Sequence, residues 1–271
     1  MKMTQGMTFQ NPIPIDTAMF PDLPDRSEVH VWKIDTGKTG NLREILAFGI
    51  LSIDEQEKVH HFRRSEDALR YATSHFYLRK IMAGYCKISP ESVSISKTTL
   101  GKPALDGLRL PAESVTAGGS SNRSKNIEFS ISHSRDLTVI SIVTEATTGV
   151  DLEYMDTSLD PTKLYDFCLS AREKEFFSDL GYDDRLLRFL RVWTAKEAAL
   201  KYLGIGLTGD LRTYECRYRH EGTLDVWAVH EDNYSEICRI IPIPAGKDYV
   251  TALAIPPQSS GRYRIFSVDH G

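Results

Sequence analysis

The sequence lacks paired cysteines: Cys86, Cys168, Cys216 and Cys238 stand far apart, with no C-x-x-C step among them. Neither a zinc site nor a disulfide framework is signalled, and a reducing cytoplasm is the expected compartment. Also missing is any apolar run long enough for a membrane span. The first 25 residues carry Pro, Asp, Gln and Thr where a secretory leader would have a basic start and an apolar stretch. No membrane association is expected. Nor is positive charge in excess. The 33 Lys and Arg face 37 Asp and Glu, a net charge of −4 over 271 residues, which argues against nucleic acid as a partner. Any anionic ligand must be met by a local cluster of cations, and a monomer is expected.

What is present reads as a mixed chain long enough to bury a full core. Residues 1–27, with Pro12, Pro14, Pro21 and Pro24 in polar sequence, read as an extended arm. Folded structure is expected to begin with a strand at 29–34. Ser52-Ile53-Asp54-Glu55 is a capping box opening a helix to about residue 62, and a second helix covers about 66–85. Strands are expected at 93–96, 127–132, 137–143 and around Asp151, with a Ser/Gly-rich loop at 111–126. Ser170-Ala171-Arg172-Glu173 repeats the capping box, and 184–203 reads as a long amphipathic helix stopped by Gly204. Four further strands are expected at 212–219, 223–229, 236–241 and 249–255.

A weak repeat runs through this order. Leu51-Ser52-x-x-Glu55-x-Glu57 recurs as Leu169-Ser170-x-x-Glu173-x-Glu175, and Leu69-Arg70-Tyr71 as Leu187-Arg188-Phe189, both 118 positions on. Duplication and chance agreement between amphipathic helices both remain open. Duplication would give two α+β halves, residues 28–146 and 147–258, with a tail at 259–271 and a ligand cleft between the halves.

Chemistry concentrates in a few places. In Gly149-Val150-Asp151-Leu152-Glu153 the two acids are two residues apart, so on a strand they share a face and can offer oxygens to one hard cation. Asp151 is expected on a strand edge rather than in the core. A solvated strand face would carry the same alternation. In Trp193-Thr194-Ala195-Lys196-Glu197-Ala198-Ala199-Leu200-Lys201, Glu197 and Lys201 lie four apart on one helical face, setting a third carboxylate beside an ammonium. A solvent-side ion pair is the alternative, but Trp193 shares that face and would partly desolvate Glu197, making it a better base. Together these acids and Lys201 read as a magnesium-diphosphate site. Phe129-Ser130-Ile131-Ser132-His133-Ser134 can present hydroxyls and an imidazole to an anion, or can be a turn whose serines satisfy their own backbone. Leu100-Gly101-Lys102-Pro103 is a turn with Lys102 at its exposed tip. Lys58, Arg63, Arg64 and Arg70 form either a solvated helix face or a phosphate-binding patch.

Taken in order, Gly101-Lys102-Pro103, Phe129-x-Ile131-Ser132-His133-Ser134, Gly149-Val150-Asp151-Leu152-Glu153 and Trp193-Thr194-x-Lys196-Glu197-Ala198-x-x-Lys201 resemble the motif set of the Sfp-type 4′-phosphopantetheinyl transferases. The resemblance covers about residues 58–207. It implies two similar α+β halves related by a pseudo-twofold, each a long helix on a small antiparallel sheet, with the active site between them. It further implies Mg2+-dependent transfer of the phosphopantetheine arm of coenzyme A (CoA) to a serine of an apo acyl, peptidyl or aryl carrier protein, releasing adenosine 3′,5′-bisphosphate. By the same resemblance Asp151, Glu153 and Glu197 surround the metal, and Glu197 is also the candidate base. Lys201 meets the transferring phosphate with Lys196 beside it, and Lys58, Arg70, Lys102, Ser132 and His133 hold the rest of CoA. Two other readings compete: a catalytically silent CoA- or carrier-binding module, and an unrelated Mg-dependent phosphotransferase.

Overall fold

The computed structural model describes residues 7–10, 20–37, 40–106, 126–178, 182–206, 209–219, 224–230 and 233–269. All but the last residue of the loop expected at 111–126 lies outside them. The chain runs β1 (Met7–Gln10), β2 (Glu28–Asp35), α1 (Leu42–Ala47), α2 (Ile53–His61), α3 (Ser65–Cys86), β3 (Ile95–Lys97), β4 (Pro103–Leu105), β5 (Ile127–Ser134), β6 (Leu137–Thr144) and β7 (Gly149–Tyr154). It continues through α4 (Tyr165–Cys168), α5 (Ala171–Ser178), α6 (Tyr182–Leu203), β8 (Tyr214–Tyr218), β9 (Leu224–His230), β10 (Asn233–Ile241), β11 (Tyr249–Ile255) and β12 (Arg262–Asp269).

Two five-stranded sheets result, ordered β1-β12-β2-β6-β5 and β7-β11-β10-β9-β8, with a β3-β4 ribbon whose second strand lies along β5. The element order of the first half recurs in the second: a strand, short helices, a 22-residue helix, then strands that return antiparallel to the first. This is the mixed architecture of two sheet-bearing halves that the sequence pointed to.

The repeat reaches into buried chemistry. Both capping boxes form: Glu55 and Ser52 exchange bonds at the start of α2, and Glu173 and Ser170 do the same at α5. Glu55 also takes the Arg79 guanidinium, which bonds the Val93 carbonyl. Glu173 likewise takes the Lys196 ammonium, which bonds the Leu211 carbonyl. Residues 55 and 93 become 173 and 211, each 118 positions on. The cations of the two pairs, Arg79 and Lys196, are 117 positions apart, one residue out of that register.

Three expectations are corrected. Residues 259–271 are not a tail, because β12 lies inside the first sheet, parallel to both β1 and β2. Its alternation serves two cores: Phe266 and Val268 pack under α3, while Ile265 joins Val31, Val139, Leu152 and Leu253 between the sheets. Within the arm expected at 1–27, Met7–Gln10 is a strand on β12. Helix α1, opened by an Asn41 capping box, and strand β4 had no counterpart in the sequence reading.

On β7, Val150 and Leu152 face the core between the sheets, and Gly149, Asp151 and Glu153 face the other way. Gly149 brings this second face onto α6. A Cβ there would stand 2.0 Å from the Ala198 carbonyl oxygen and 2.5 Å from the Tyr202 nitrogen, both backbone atoms of that helix. Gly149→Ala is therefore expected to push β7 off α6, costing about 1–3 kcal/mol or more of stability. Thermal melts of the variant beside wild type check this.

Candidate active site

The site lies on the seam where β5, the edge of one sheet, meets β7, the edge of the other. Serines on one face of β5 stitch the seam. Ser130 Oγ accepts from the Val150 nitrogen, Ser132 Oγ donates to Asp151 Oδ1 at 2.8 Å, and Ser134 Oγ donates to Glu153 Oε2 at 3.0 Å while accepting from the Tyr154 nitrogen. So these serines neither close a local turn nor stand open to an anion. Ser132, expected to hold CoA, instead orients a carboxylate.

Asp151 is 5 % exposed, buried rather than on an open strand edge. Its Oδ1 takes both Ser132 and the Lys201 ammonium, the latter at 2.7 Å, while its Oδ2 is buried with no partner. Glu197, one helical turn before Lys201, is also buried and its Oε1 is unpartnered. Burial first, then the Asp151 and Glu153 charges, push the Glu197 carboxyl up to about 7 against the pull of Lys201. Glu153 is raised as well, by burial and then Asp151, although Ser134 and the Trp193 side chain bond its charged form.

Two orphaned carboxylate oxygens, beside a third acid, are the donors a magnesium ion takes alongside water and phosphate oxygens. The residues fit the ion in that sense. The full three-carboxylate ligand set is not gathered, however: among the described residues no cluster of three His, Cys, Asp or Glu is close enough to hold a metal. Glu153 is tied back by Ser134 and Trp193, and Lys201 occupies the open side of Asp151.

His133 projects from the opposite face of β5 to the serines and is exposed. Burial of the ring among protein atoms, then Lys201, His75 and Lys58, hold the imidazole below its ordinary pKa. Lys58 lies over the Tyr71 ring at 4.5 Å and feels Lys97, and Tyr71 packs on His75. Lys201 and Lys58 thus act on a His133 ring kept neutral, His75 is taken up by Glu55 at 2.8 Å, and Lys97 acts on Lys58. His75 and Lys97 escaped the sequence reading, since neither sits in a recognisable motif.

Three expected CoA contacts are elsewhere. Lys196 is fully buried, bonding Glu173 and the carbonyls of Cys168 and Leu211. Neighbouring residues on a helix point roughly 100° apart, so Lys196 turns into the core while Glu197 faces the seam. Lys102 is not at an open tip: its ammonium bonds Glu128 and the Thr148 carbonyl. Arg70 is matched by Asp67 and Asp136. Lys196→Met is expected to cost about 3–5 kcal/mol, by leaving the Glu173 charge buried and unpaired. Adding Glu173→Gln should recover part of that loss in urea unfolding.

Against known families, residues 147–254 match the 4′-phosphopantetheinyl transferase superfamily and residues 42–145 the family described as "4′-phosphopantetheinyl transferase, N-terminal". The chain is 29 % identical over 180 residues to "4′-phosphopantetheinyl transferase HetI" of Nostoc sp., covering 66 % of this chain and 70 % of that one. It is 28 % identical over 179 residues to the "L-aminoadipate-semialdehyde dehydrogenase-phosphopantetheinyl transferase" of Pongo abelii, covering 63 % and 54 %. With "4′-phosphopantetheinyl transferase ffp" of Bacillus subtilis it shares 26 % over 184 residues, covering 65 % and 70 %. The alignment thus spans little more than half of the vertebrate relative. The boundary between the two matched families falls in the short link from β6 to β7, where the two halves meet, and the chain belongs to the 4′-phosphopantetheinyl transferase superfamily.

Proposed function

We propose that this protein transfers the 4′-phosphopantetheine arm of CoA to a serine hydroxyl of an apo acyl, peptidyl or aryl carrier protein, releasing adenosine 3′,5′-bisphosphate. The reading rests above all on one observation: buried, unpartnered oxygens of Asp151 and Glu197 lie beside the Lys201 ammonium. CoA is a polyanion with a diphosphate at its reacting centre, and such a ligand needs cations along its length and hard-ion donors at its middle. Lys58 and Lys97 take the nucleotide phosphates, with the His133 imidazole as a hydrogen-bond donor, and Lys201 takes the diphosphate. Asp151 and Glu197, with Glu153 behind them, hold Mg2+, whose charge offsets that of the diphosphate and its leaving oxygen.

The serine Oγ forms a bond to the β-phosphorus as the bond from that phosphorus to the departing nucleotide oxygen breaks. Glu197 takes the hydroxyl proton, a role its raised pKa suits. Alignment and charge neutralisation carry most of such a transfer. A silent binding module would have no use for two buried acids with unpartnered oxygens beside one ammonium. The protein acts as a monomer in the reducing cytoplasm; among the described residues no helix is long and apolar enough to cross a membrane, and the four cysteines are unbridged.

Intact-mass measurement of an apo carrier protein incubated with CoA, Mg2+ and this chain is the direct test. A gain of one phosphopantetheine arm supports the reading, and an unchanged mass across acyl, peptidyl and aryl carriers sinks it. His133→Ala is expected to weaken CoA binding about tenfold and dephospho-CoA binding less, by removing an imidazole N–H donor from the 3′-phosphate. Equal losses in calorimetry would show that His133 does not read that group.

A further inference from the structure

In the described structure the acids at the seam already have a cation. The Lys201 ammonium sits 2.7 Å from Asp151 Oδ1, and its side chain is 26 % exposed where that of Asp151 is 7 %. The lysine therefore stands between solvent and the buried acids. Behind it, Asp151 Oδ2 and Glu197 Oε1 have no partner. A divalent cation reaching for those oxygens meets a positive charge in van der Waals range of the same carboxylate, at a place where burial weakens screening. A lysine is a point charge on a flexible stem, so it can leave one anion for another without moving the helix that carries it.

We propose that Lys201 is the resident counter-ion of the empty acid cluster and couples the binding of the divalent cation to that of the diphosphate. This rests on the reading that Asp151 and Glu197 hold the cation. When the diphosphate arrives it offers Lys201 a second anion. The ammonium moves from Asp151 to phosphate, and the carboxylate it leaves becomes free for the metal. Neither ligand then binds well alone, and each raises the affinity of the other by the same factor, as linkage requires. The arrangement spares the free protein an uncompensated pair of buried acids and keeps the site from loading metal without substrate.

The test measures binding and not turnover. Mn2+ is titrated into the metal-free protein, and the free ion is followed by electron paramagnetic resonance, with and without saturating CoA. Wild type is compared with Lys201→Met and with Asp151→Asn/Glu197→Gln. Without CoA, Lys201→Met should bind Mn2+ at least about tenfold more tightly than wild type, and the gain that CoA brings should shrink by a similar factor. Equal Mn2+ affinity of wild type and Lys201→Met in the absence of CoA overturns the inference. The double carboxamide variant separates this failure from a deeper one. If it binds Mn2+ with CoA as well as wild type does, the carboxylates hold no cation and the underlying reading falls. If it loses Mn2+ while Lys201→Met gains nothing, only the coupling role falls. Methionine keeps helix propensity in the last turn of α6. Lys201→Gln, held to the same criteria, serves should the Met variant misfold.

Discussion

Replacing Glu197 by Gln is expected to slow transfer by about 100-fold or more while CoA and Mg2+ still bind, because the amide keeps one coordinating oxygen but accepts no proton. Mg2+ titration of both proteins separates the two duties of this residue. If excess Mg2+ restores the rate, Glu197 served chiefly as a ligand and the base lies elsewhere. A second readout follows from its pKa, raised from 4.5 to about 7. The folded protein binds this proton more tightly than the unfolded chain, so the group carries no penalty below about pH 4.5. Ionising it costs stability progressively as pH rises through about 7. A shift of that size corresponds to roughly 3 kcal/mol above the window. Without metal, Glu197→Gln should therefore melt above wild type at pH 8, and the gap should close by pH 5. A variant that is slower at pH 8 and no more stable would show that the acid cluster is not under charge strain.

Asp151→Asn is expected to lower transfer by about 10²–10³-fold, the scale of losing one preorganised electrostatic contact at a reacting centre. The change removes the charge that Lys201 and the cation share and keeps an oxygen for Ser132. Asp151→Ala goes further, stranding the Ser132 hydroxyl and the Lys201 ammonium at a buried spot, so it should cost stability that Asn does not. Comparing the melting temperatures and rates of both variants tests this: an alanine variant as stable as wild type would mean that Asp151 sits as openly as its alternating sequence suggested.

Which side chains would share the seam was legible in the sequence, because they obey simple periods. Asp151 and Glu153 share a side of β7 by the period of two, and Glu197 and Lys201 share a side of α6 by the spacing of four. Charge partners were less legible, since they are set by contacts distant in sequence. Lys102 reads as a turn tip until Glu128 comes beside it, and Lys196 reads as a phosphate contact beside Lys201 until Glu173 folds over it. The serines of β5 resemble turn residues because nothing local reveals that another sheet edge runs alongside. The repeat register gave no signal for Lys196, because 118 positions before it stands Leu78 and Arg79 falls opposite Glu197.

The place of β12 has a consequence for how the molecule is made. Residues 28–35 emerge from the ribosome early, yet their sheet neighbour is residues 262–269. At synthesis rates of about 5–20 residues per second, β2 waits roughly 10–50 s for that edge to be covered. During that interval the growing chain exposes an open strand edge and the apolar side of α3 on which Phe266 and Val268 later settle. The half begun first is thus closed last, by residues that follow the whole second half. A cut at the link between β6 and β7 would leave the first piece without its interior strand, so an exchange of halves between relatives has to carry β12 with the partner it covers rather than with the segment that precedes it.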